Sequence, residues 1–171
     1  MKIILVGYMA SGKTTIGKQL SKIVSIPFYD LDAIIEAQEQ KSIATIFKEK
    51  GEIYFRKIES EIANSFVKNT TNFILAFGGG TPCYANNYLL LQEEDVVSIY
   101  LNATVNTLTT RLEKAKANRP LLANLSNNEL NDYVRKHLFD RSYFYNQSKI
   151  KIKTDEKPVS EIVAEIQQLL F

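Results

Sequence analysis

The first residues able to do chemistry lie at positions 7–14, GYMASGKT, which fit the phosphate-loop pattern G-x-x-x-x-G-K-[ST]. Glycines in such a loop let backbone N–H groups surround a polyphosphate at the start of a helix. Lys13 would then reach the β- and γ-phosphates, and the Thr14 hydroxyl would bind Mg²⁺. A strand-like run precedes the loop and a helical pattern follows it, so we predict a nucleotide site rather than an empty turn.

Asp30 and Asp32 stand one residue apart at the end of the second predicted strand. Where a strand gives way to a helix, two such carboxylates can diverge, one toward a metal ion and one toward a substrate hydroxyl. The alternative is that Asp32 only caps the helix that follows. Because the chain has no guanine-reading N-K-x-D motif, the pair favours a small-molecule kinase over a GTPase switch.

Three successive glycines, at 78–80, follow the third predicted strand. Such a run costs conformational entropy, so it predicts that something approaches the backbone closely, although a tight turn explains one or two of the glycines. Arg56 precedes Glu59 by three residues on a predicted helix, a spacing that lets the carboxylate orient the guanidinium. A solvated ion pair is the alternative.

Two further arginines lie downstream. Arg119 belongs to the polar, basic stretch 114–122, KAKANRPLL, which we interpret as a lid that brings this arginine to the transferring phosphate; a plain surface loop is the alternative. Arg141 lies near the end of a later helix, where the helix dipole also favours a cation.

These residues need a scaffold, and the hydrophobic pattern predicts one. Short apolar runs at 2–6, 26–29, 73–77, 96–101 and 150–153 predict strands, and segments of helical period lie between them. Ser126 and Glu129 have the capping-box form, and a last helix spans 158–171. Repeated strand–helix alternation predicts an α/β protein with a parallel sheet, helices on both faces and ligands at the carboxyl ends of the strands.

Composition excludes several classes of protein. With 171 residues, 45% hydrophobic and 23% charged, the chain fits one globular domain and not a disordered or membrane protein. Its 21 basic and 19 acidic residues leave a net charge of +2, which predicts neither nucleic-acid nor membrane binding. One cysteine and no signal-like segment favour the cytoplasm.

The ordered set of motifs resembles the shikimate kinase family over nearly the whole chain. In chain order these motifs are the loop 7–14, Asp30-Leu31-Asp32, Phe55-Arg56, Gly78-Gly79-Gly80, Asn118-Arg119-Pro120-Leu121-Leu122 and Asp140-Arg141. The resemblance implies a P-loop kinase fold: a three-layer αβα sandwich around a five-stranded parallel sheet of order 2-3-1-4-5. It also implies one domain, 1–171, with a lid at about 114–126 and a substrate-binding helical region at about 32–62.

The activity implied is transfer of the ATP γ-phosphate to the 3-hydroxyl of shikimate, in aromatic amino-acid biosynthesis. ATP and shikimate would be the partners of a monomer, with Mg²⁺ as the cofactor. The ATP-binding residues implied are Ala10, Ser11, Gly12, Lys13, Thr14, Thr15, Arg111 and Arg119. The shikimate-binding residues implied are Asp32, Arg56, Gly79, Gly80 and Arg141. Lys13, Asp32 and Arg119 would be catalytic, and Thr14 and Asp30 would serve the metal.

Two segments depart from the family pattern. The residues before Pro158, Asp155-Glu156-Lys157, lack an arginine expected near the adenine, and the stretch 81–84, TPCY, is atypical; Cys83 receives no role. A gluconate kinase-like enzyme is the closest competing hypothesis, and a nucleotide-binding regulatory module without an acceptor site is a second. The arginines near Asp32 and the glycine run favour shikimate.

Overall fold

The computed structural model describes residues 1–115 and 122–171. The strands are β1 Lys2–Val6, β2 Phe28–Asp30, β3 Phe73–Ala76, β4 Val96–Asn102 and β5 Ile150–Lys153. The α-helices are α1 Lys13–Val24, α2 Leu31–Glu39, α3 Ile43–Asn69, α4 Val105–Lys114, α5 Asn127–Tyr145 and α6 Val159–Leu170. Two short 3₁₀ helices, Thr81–Cys83 and Asn87–Leu91, lie between β3 and β4.

All five strands run parallel in one sheet of order β2-β3-β1-β4-β5. The order confirms the fold predicted from the sequence. In a parallel sheet the carboxyl ends of all strands meet at one edge, so the loops that follow β1, β2 and β3 are brought together there. Those loops carry the phosphate loop, the acidic pair and the glycine run.

Alternate residues of β1 build the two cores. Ile4 and Val6 pack with side chains of α2 to α5, whereas Ile3 and Leu5 pack with α1 and α6. Because β1 is buried on both faces, its sequence is a continuous apolar run rather than an alternating one. Burying each such side chain stabilises the fold by roughly 1.5–3 kcal/mol, which holds the loop after β1 on a rigid support.

Several local boundaries differ from the predictions. β2 covers residues 28–30 rather than 26–29, and α3 consists of two helical halves broken at Gly51, where φ is 81° and ψ is 175°. Neither 3₁₀ helix was predicted. Pro158 is the N-cap of α6, next to its first turn, and the capping box of Ser126 and Glu129 is present as predicted.

Within the described ranges, no helix is both long enough and apolar enough to cross a membrane.

Candidate active site

The loop after β1 has the geometry of an anion site. Gly12 takes a left-handed conformation (φ 98°) and is the N-cap of α1, so the loop lies at the helix N-terminus, where the backbone N–H groups and the helix dipole favour an anion. A Cβ at Gly7 would lie 2.8 Å from the Leu101 carbonyl oxygen, which explains a glycine there. The Lys13 ammonium donates to the carbonyl oxygens of Gly7 and Tyr8, at 2.8 and 3.0 Å, and so lies across the loop.

The two carboxylates of the acidic pair have different partners, and the one that caps α2 is Asp30. Asp30 is the N-cap of α2 and accepts from the Asp32 backbone N–H at 3.1 Å, so the alternative that Asp32 caps this helix is wrong. The cap is Asp30 because β2 ends on it and α2 begins at the next residue. The Thr14 hydroxyl donates to the other Asp30 oxygen, at 3.2 Å.

The Asp32 carboxyl is electrostatically perturbed. Burial, followed by the charges of Asp30 and Glu59, raises the pKa of Asp32 from its ordinary value of 3.8 to about 6, against the opposing effect of Lys13. A carboxylate with a raised pKa is a better proton acceptor and is a candidate for contact with a reacting hydroxyl.

Each glycine of the run 78–80 lies against one of the side chains predicted to hold the acceptor. A Cβ at Gly78 would lie 3.2 Å from Asp32 Oδ1, and one at Gly79 would lie 3.4 Å from Arg141 Nη1. At Gly80 the Cβ would lie 2.8 Å from Arg56 Nη2. None of the three has a positive φ, so Gly78 and Gly80 provide space for these groups rather than an unusual backbone, whereas a Cβ at Gly79 would make an ordinary contact.

Arg56 is held by an acid of its own helix, as its spacing predicted. Its Nη1 donates to Glu59 Oε2 at 2.8 Å, and Glu59 is only 1% exposed. The Thr81 hydroxyl donates to the other Glu59 oxygen at 2.6 Å. A buried pair of this kind is strongly oriented, because breaking it leaves an uncompensated charge.

Arg141, on α5, lies against Gly79, the middle glycine of the run. The Tyr145 hydroxyl, one turn further along α5, donates to the Gly79 carbonyl oxygen at 2.5 Å. Burial disfavours the charge on Arg141, but Tyr145 favours it, and the pKa of this guanidinium lies above its ordinary value. Tyr145 is not among the predicted site residues; its i, i+4 spacing from Arg141 was the available signal.

A cavity of about 350 Å³ joins the two halves of the site. The residues that line it come from the phosphate loop and from the acceptor side, and include Lys13, Thr14, Asp30, Asp32, Gly78 and Gly79. On the far side of the loop a second cavity, of about 400 Å³, is lined by Ala10, Ser11, Thr15, Arg111, Lys157 and Val159. The two cavities share the phosphate loop as a wall, as a nucleotide bound along the loop would require.

Arg111 anchors the wall of the second cavity. Its guanidinium donates to the carbonyl oxygens of Ala10 and Thr154, at 3.1 and 3.3 Å. Lys157, in the segment that lacks the expected arginine, pairs with Glu165 at 2.6 Å. The predicted lid arginine, Arg119, lies outside the described residues.

The Thr14 and Asp30 oxygens are hard donors of the type that Mg²⁺ prefers. Within residues 1–115 and 122–171, no cluster of three or more His, Cys, Asp or Glu side chains is suited to a metal. The Thr14 and Asp30 oxygens fit a magnesium ion held by one or two protein oxygens together with substrate phosphates. Burial raises the pKa of the Cys83 thiol to about 11, so it is not an activated nucleophile.

A parallel sheet of order 2-3-1-4-5 with a phosphate loop after its first strand defines a P-loop kinase fold. A family model described as shikimate kinase matches residues 9–171, and the chain belongs to the shikimate kinase family. It is 54% identical over 170 residues to a shikimate kinase of Flavobacterium psychrophilum, with 99% of both chains covered. This membership confirms the resemblance found in the motifs.

Solved structures agree with this membership. The crystal structure of a shikimate kinase from Bacteroides thetaiotaomicron has a TM-score of 0.92 at 33% identity, covering 99% of this chain and 98% of the other. A shikimate kinase from Acinetobacter baumannii, solved in complex with shikimate, has a TM-score of 0.86 at 31% identity, covering 99% and 92%.

Proposed function

We propose that this protein transfers the γ-phosphoryl group of ATP to the 3-hydroxyl of shikimate. The observation that carries the proposal is the glycine run, which seats Asp32, Arg141 and Arg56 side by side. Two guanidinium groups suit bidentate recognition of one carboxylate, and a neighbouring carboxylate accepts hydrogen bonds from hydroxyls. Shikimate offers both kinds of group.

The nucleotide lies along the phosphate loop in this proposal. Backbone N–H groups of residues 10–15 bind the phosphates, Lys13 neutralises the β- and γ-phosphates, and Arg111 lines the adenine side. Thr14 would bind Mg²⁺ directly and Asp30 through water. The ion supplies charge neutralisation of the phosphates when bound.

The acceptor side orients the hydroxyl toward the γ-phosphate. Arg56 and Arg141 bind the shikimate carboxylate, and the backbone of Gly79 and Gly80 contacts the ring substituents. Asp32 accepts a hydrogen bond from the 3-hydroxyl. In a loose phosphoryl-transfer transition state most of the catalysis is positioning and charge stabilisation, so this alignment is the main contribution of Asp32. Arg119, on a lid at about 114–126, would add positive charge to the transferring group when the lid closes.

The test is the rate of ADP production with ATP and Mg²⁺, with and without shikimate, with gluconate as a third arm. We expect shikimate-dependent turnover, a phosphorylated product and little ADP from gluconate. Preference for gluconate would identify the competing polyol-acid kinase. Tight ATP binding with no turnover on either acceptor would identify a nucleotide-binding regulatory module, and either result would overturn the proposal.

A further inference from the structure

The Arg56 guanidinium is held from more directions than one ion pair provides. Glu59 contacts its edge through Nη1, and the backbone of Gly80 lies against its terminal nitrogens. The Tyr84 ring covers its face, with 4.0 Å between the Arg56 Cζ and the ring centroid. The side chain of Arg56 is therefore only 18% exposed.

Two of the residues in this arrangement come from the segment 81–84, which is atypical in sequence. Thr81 opens the 3₁₀ helix after the glycine run, is fully buried and donates to Glu59 Oε1 at 2.6 Å. The carbonyl oxygen of Thr81 accepts from the Asn87 side chain at 3.0 Å, which fixes Thr81 in turn. Both oxygens of the Glu59 carboxylate are thus engaged, one by Thr81 and one by Arg56.

Tyr84 contacts the face of the same guanidinium, whereas Glu59 contacts its edge. Stacking of an arginine on an aromatic ring uses the face of the planar cation, whereas its N–H donors point outward in the plane. The Tyr84 ring therefore restrains Arg56 without consuming a donor. Glu59 pairs with Nη1 and Glu52 lies 3.6 Å from Nε, which leaves Nη2 as the nitrogen able to bind a carboxylate.

We propose that Thr81 and Tyr84 are positioning residues for the acceptor: together they hold Arg56 in the orientation that binds the substrate carboxylate. Thr81 acts through Glu59 at the edge of the guanidinium, and Tyr84 acts directly on its face. This inference rests on the proposed function and deepens it, because it assigns the segment after the glycine run to acceptor affinity. Neither residue contacts a reacting atom in this account.

The decisive comparison is Tyr84→Leu against Tyr84→Phe, because Tyr84 is 39% exposed and either replacement is compatible with folding. Leucine keeps apolar bulk but has no π face, so the KM for shikimate should rise roughly five- to tenfold, with KM for ATP unchanged and kcat reduced less than twofold. Phenylalanine keeps the ring and should preserve the wild-type KM. An unchanged KM in Tyr84→Leu, or an equal rise in both variants, would overturn the role of the ring.

A second pair tests the edge. Thr81→Val leaves a buried Glu59 oxygen without its donor, whereas Thr81→Ser keeps the hydroxyl. We expect a raised shikimate KM in the valine variant and recovery in the serine variant. If Thr81→Val does not fold, the Tyr84 pair decides the proposal. If it folds with a wild-type shikimate KM, the role of Thr81 is wrong.

A matched control separates acceptor affinity from general stability. Tyr133→Leu removes another tyrosine ring contact, with 4.1 Å between the ring centroids of Tyr133 and His137, on the same helix as Arg141 but outside the proposed substrate-binding residues. It should lower the Tm and leave the KM for shikimate unchanged; a rise equal to that of Tyr84→Leu would show that the Tyr84 effect is general and overturn the inference. If the wild-type protein shows no shikimate-dependent turnover, the proposed function is overturned and this inference with it. If the wild type turns over normally and the shikimate KM of Tyr84→Leu is unchanged, this inference alone is overturned.

Discussion

Asp32 is the side chain whose environment departs most clearly from that of an ordinary surface carboxylate. Its pKa is raised to about 6, so lowering the pH through this value protonates the carboxylate. A protonated Asp32 can no longer accept a hydrogen bond from the hydroxyl of the substrate in the same way. We therefore expect kcat/KM for shikimate to fall as the pH drops below about 6.

Asp32→Asn should reduce kcat by about 10²- to 10⁴-fold, remove this fall in kcat/KM at low pH and leave ATP affinity near wild type. A parallel loss of ATP binding, measured by titration calorimetry, would contradict the assignment.

The same pKa shift has a consequence for stability. Because folding raises the pKa of Asp32 above 3.8, the folded state binds the proton more tightly, and the ionised carboxylate destabilises the fold above about pH 6. Asp32→Asn should thus raise the Tm at pH 7.5, and the gain should shrink as the pH falls from about 6 toward 3.8. Thermal unfolding across this range checks the prediction; a lower Tm for the variant at pH 7.5 would contradict it.

At the residue scale, sequence predicted the groups whose spacing has a chemical meaning. Lys13 and Thr14 followed from the phosphate-loop pattern, and the Arg56–Glu59 pair followed from helical spacing. The contacts of Tyr84 with Arg56 and of Tyr145 with Gly79 were not predictable, because each joins residues distant in sequence through packing; only the spacing of Tyr145 from Arg141 on one helix was visible. The capping role of Asp30 depended on the exact end of β2, which a hydrophobic pattern locates only to within a few residues.

The glycine run is the element that links the sheet to the acceptor side chains. Gly80→Ala should push the Arg56 guanidinium away from its position, since the new Cβ would lie 2.8 Å from Nη2 and the φ of −93° suits alanine. We expect a rise of roughly tenfold in the KM for shikimate, equivalent to about 1.4 kcal/mol, and a lower Tm, because Arg56 moves away from its buried partner Glu59.

Gly79→Ala is the matched control for that prediction. Its Cβ would lie at an ordinary contact distance of 3.4 Å from Arg141, so its effect on the shikimate KM should be smaller. Steady-state kinetics of the two variants give the comparison. If Gly79→Ala were the more damaging change, close approach to Arg56 would not be what requires glycine at position 80.

Helices and strands were predictable where the hydrophobic pattern or a capping motif is distinctive. The buried strands read as apolar runs, and the helix beginning after Ser126 was marked by its capping box. The break of α3 at Gly51 was not marked, because a single glycine inside a helical pattern is tolerated and does not require a break. The short 3₁₀ helices after the glycine run lacked the length that makes a periodic pattern visible.

For the molecule as a whole, the nucleotide and acceptor subsites lie at one edge of the sheet because parallel strands end there. Alternation of strands and helices predicted the layers, whereas the strand order came from the family resemblance, since several orders satisfy the same hydrophobic pattern. The lid and the substrate-binding helical region stay predictions.

The lid hypothesis predicts a kinetic signature for Arg119. Arg119→Ala should reduce kcat strongly, by up to the roughly 10³- to 10⁵-fold that an arginine contributes in other phosphoryl-transfer enzymes, because its contact forms mainly in the transition state. The KM values for both substrates should rise only modestly. Steady-state kinetics at saturating ATP and shikimate test this, and a wild-type kcat would show that Arg119 does not reach the transferring phosphate.

The central claim is that Arg56 and Arg141 hold one substrate carboxylate while the phosphate loop independently holds ATP. The most direct measurement is the KM for shikimate and for ATP in Arg56→Ala, Arg141→Ala and the double variant. Each single change should weaken the binding of shikimate by about 2–5 kcal/mol and leave the KM for ATP near wild type. The two effects should be non-additive in the double variant. An unchanged shikimate KM in both single variants, or an equal rise in the KM for ATP, would contradict the account.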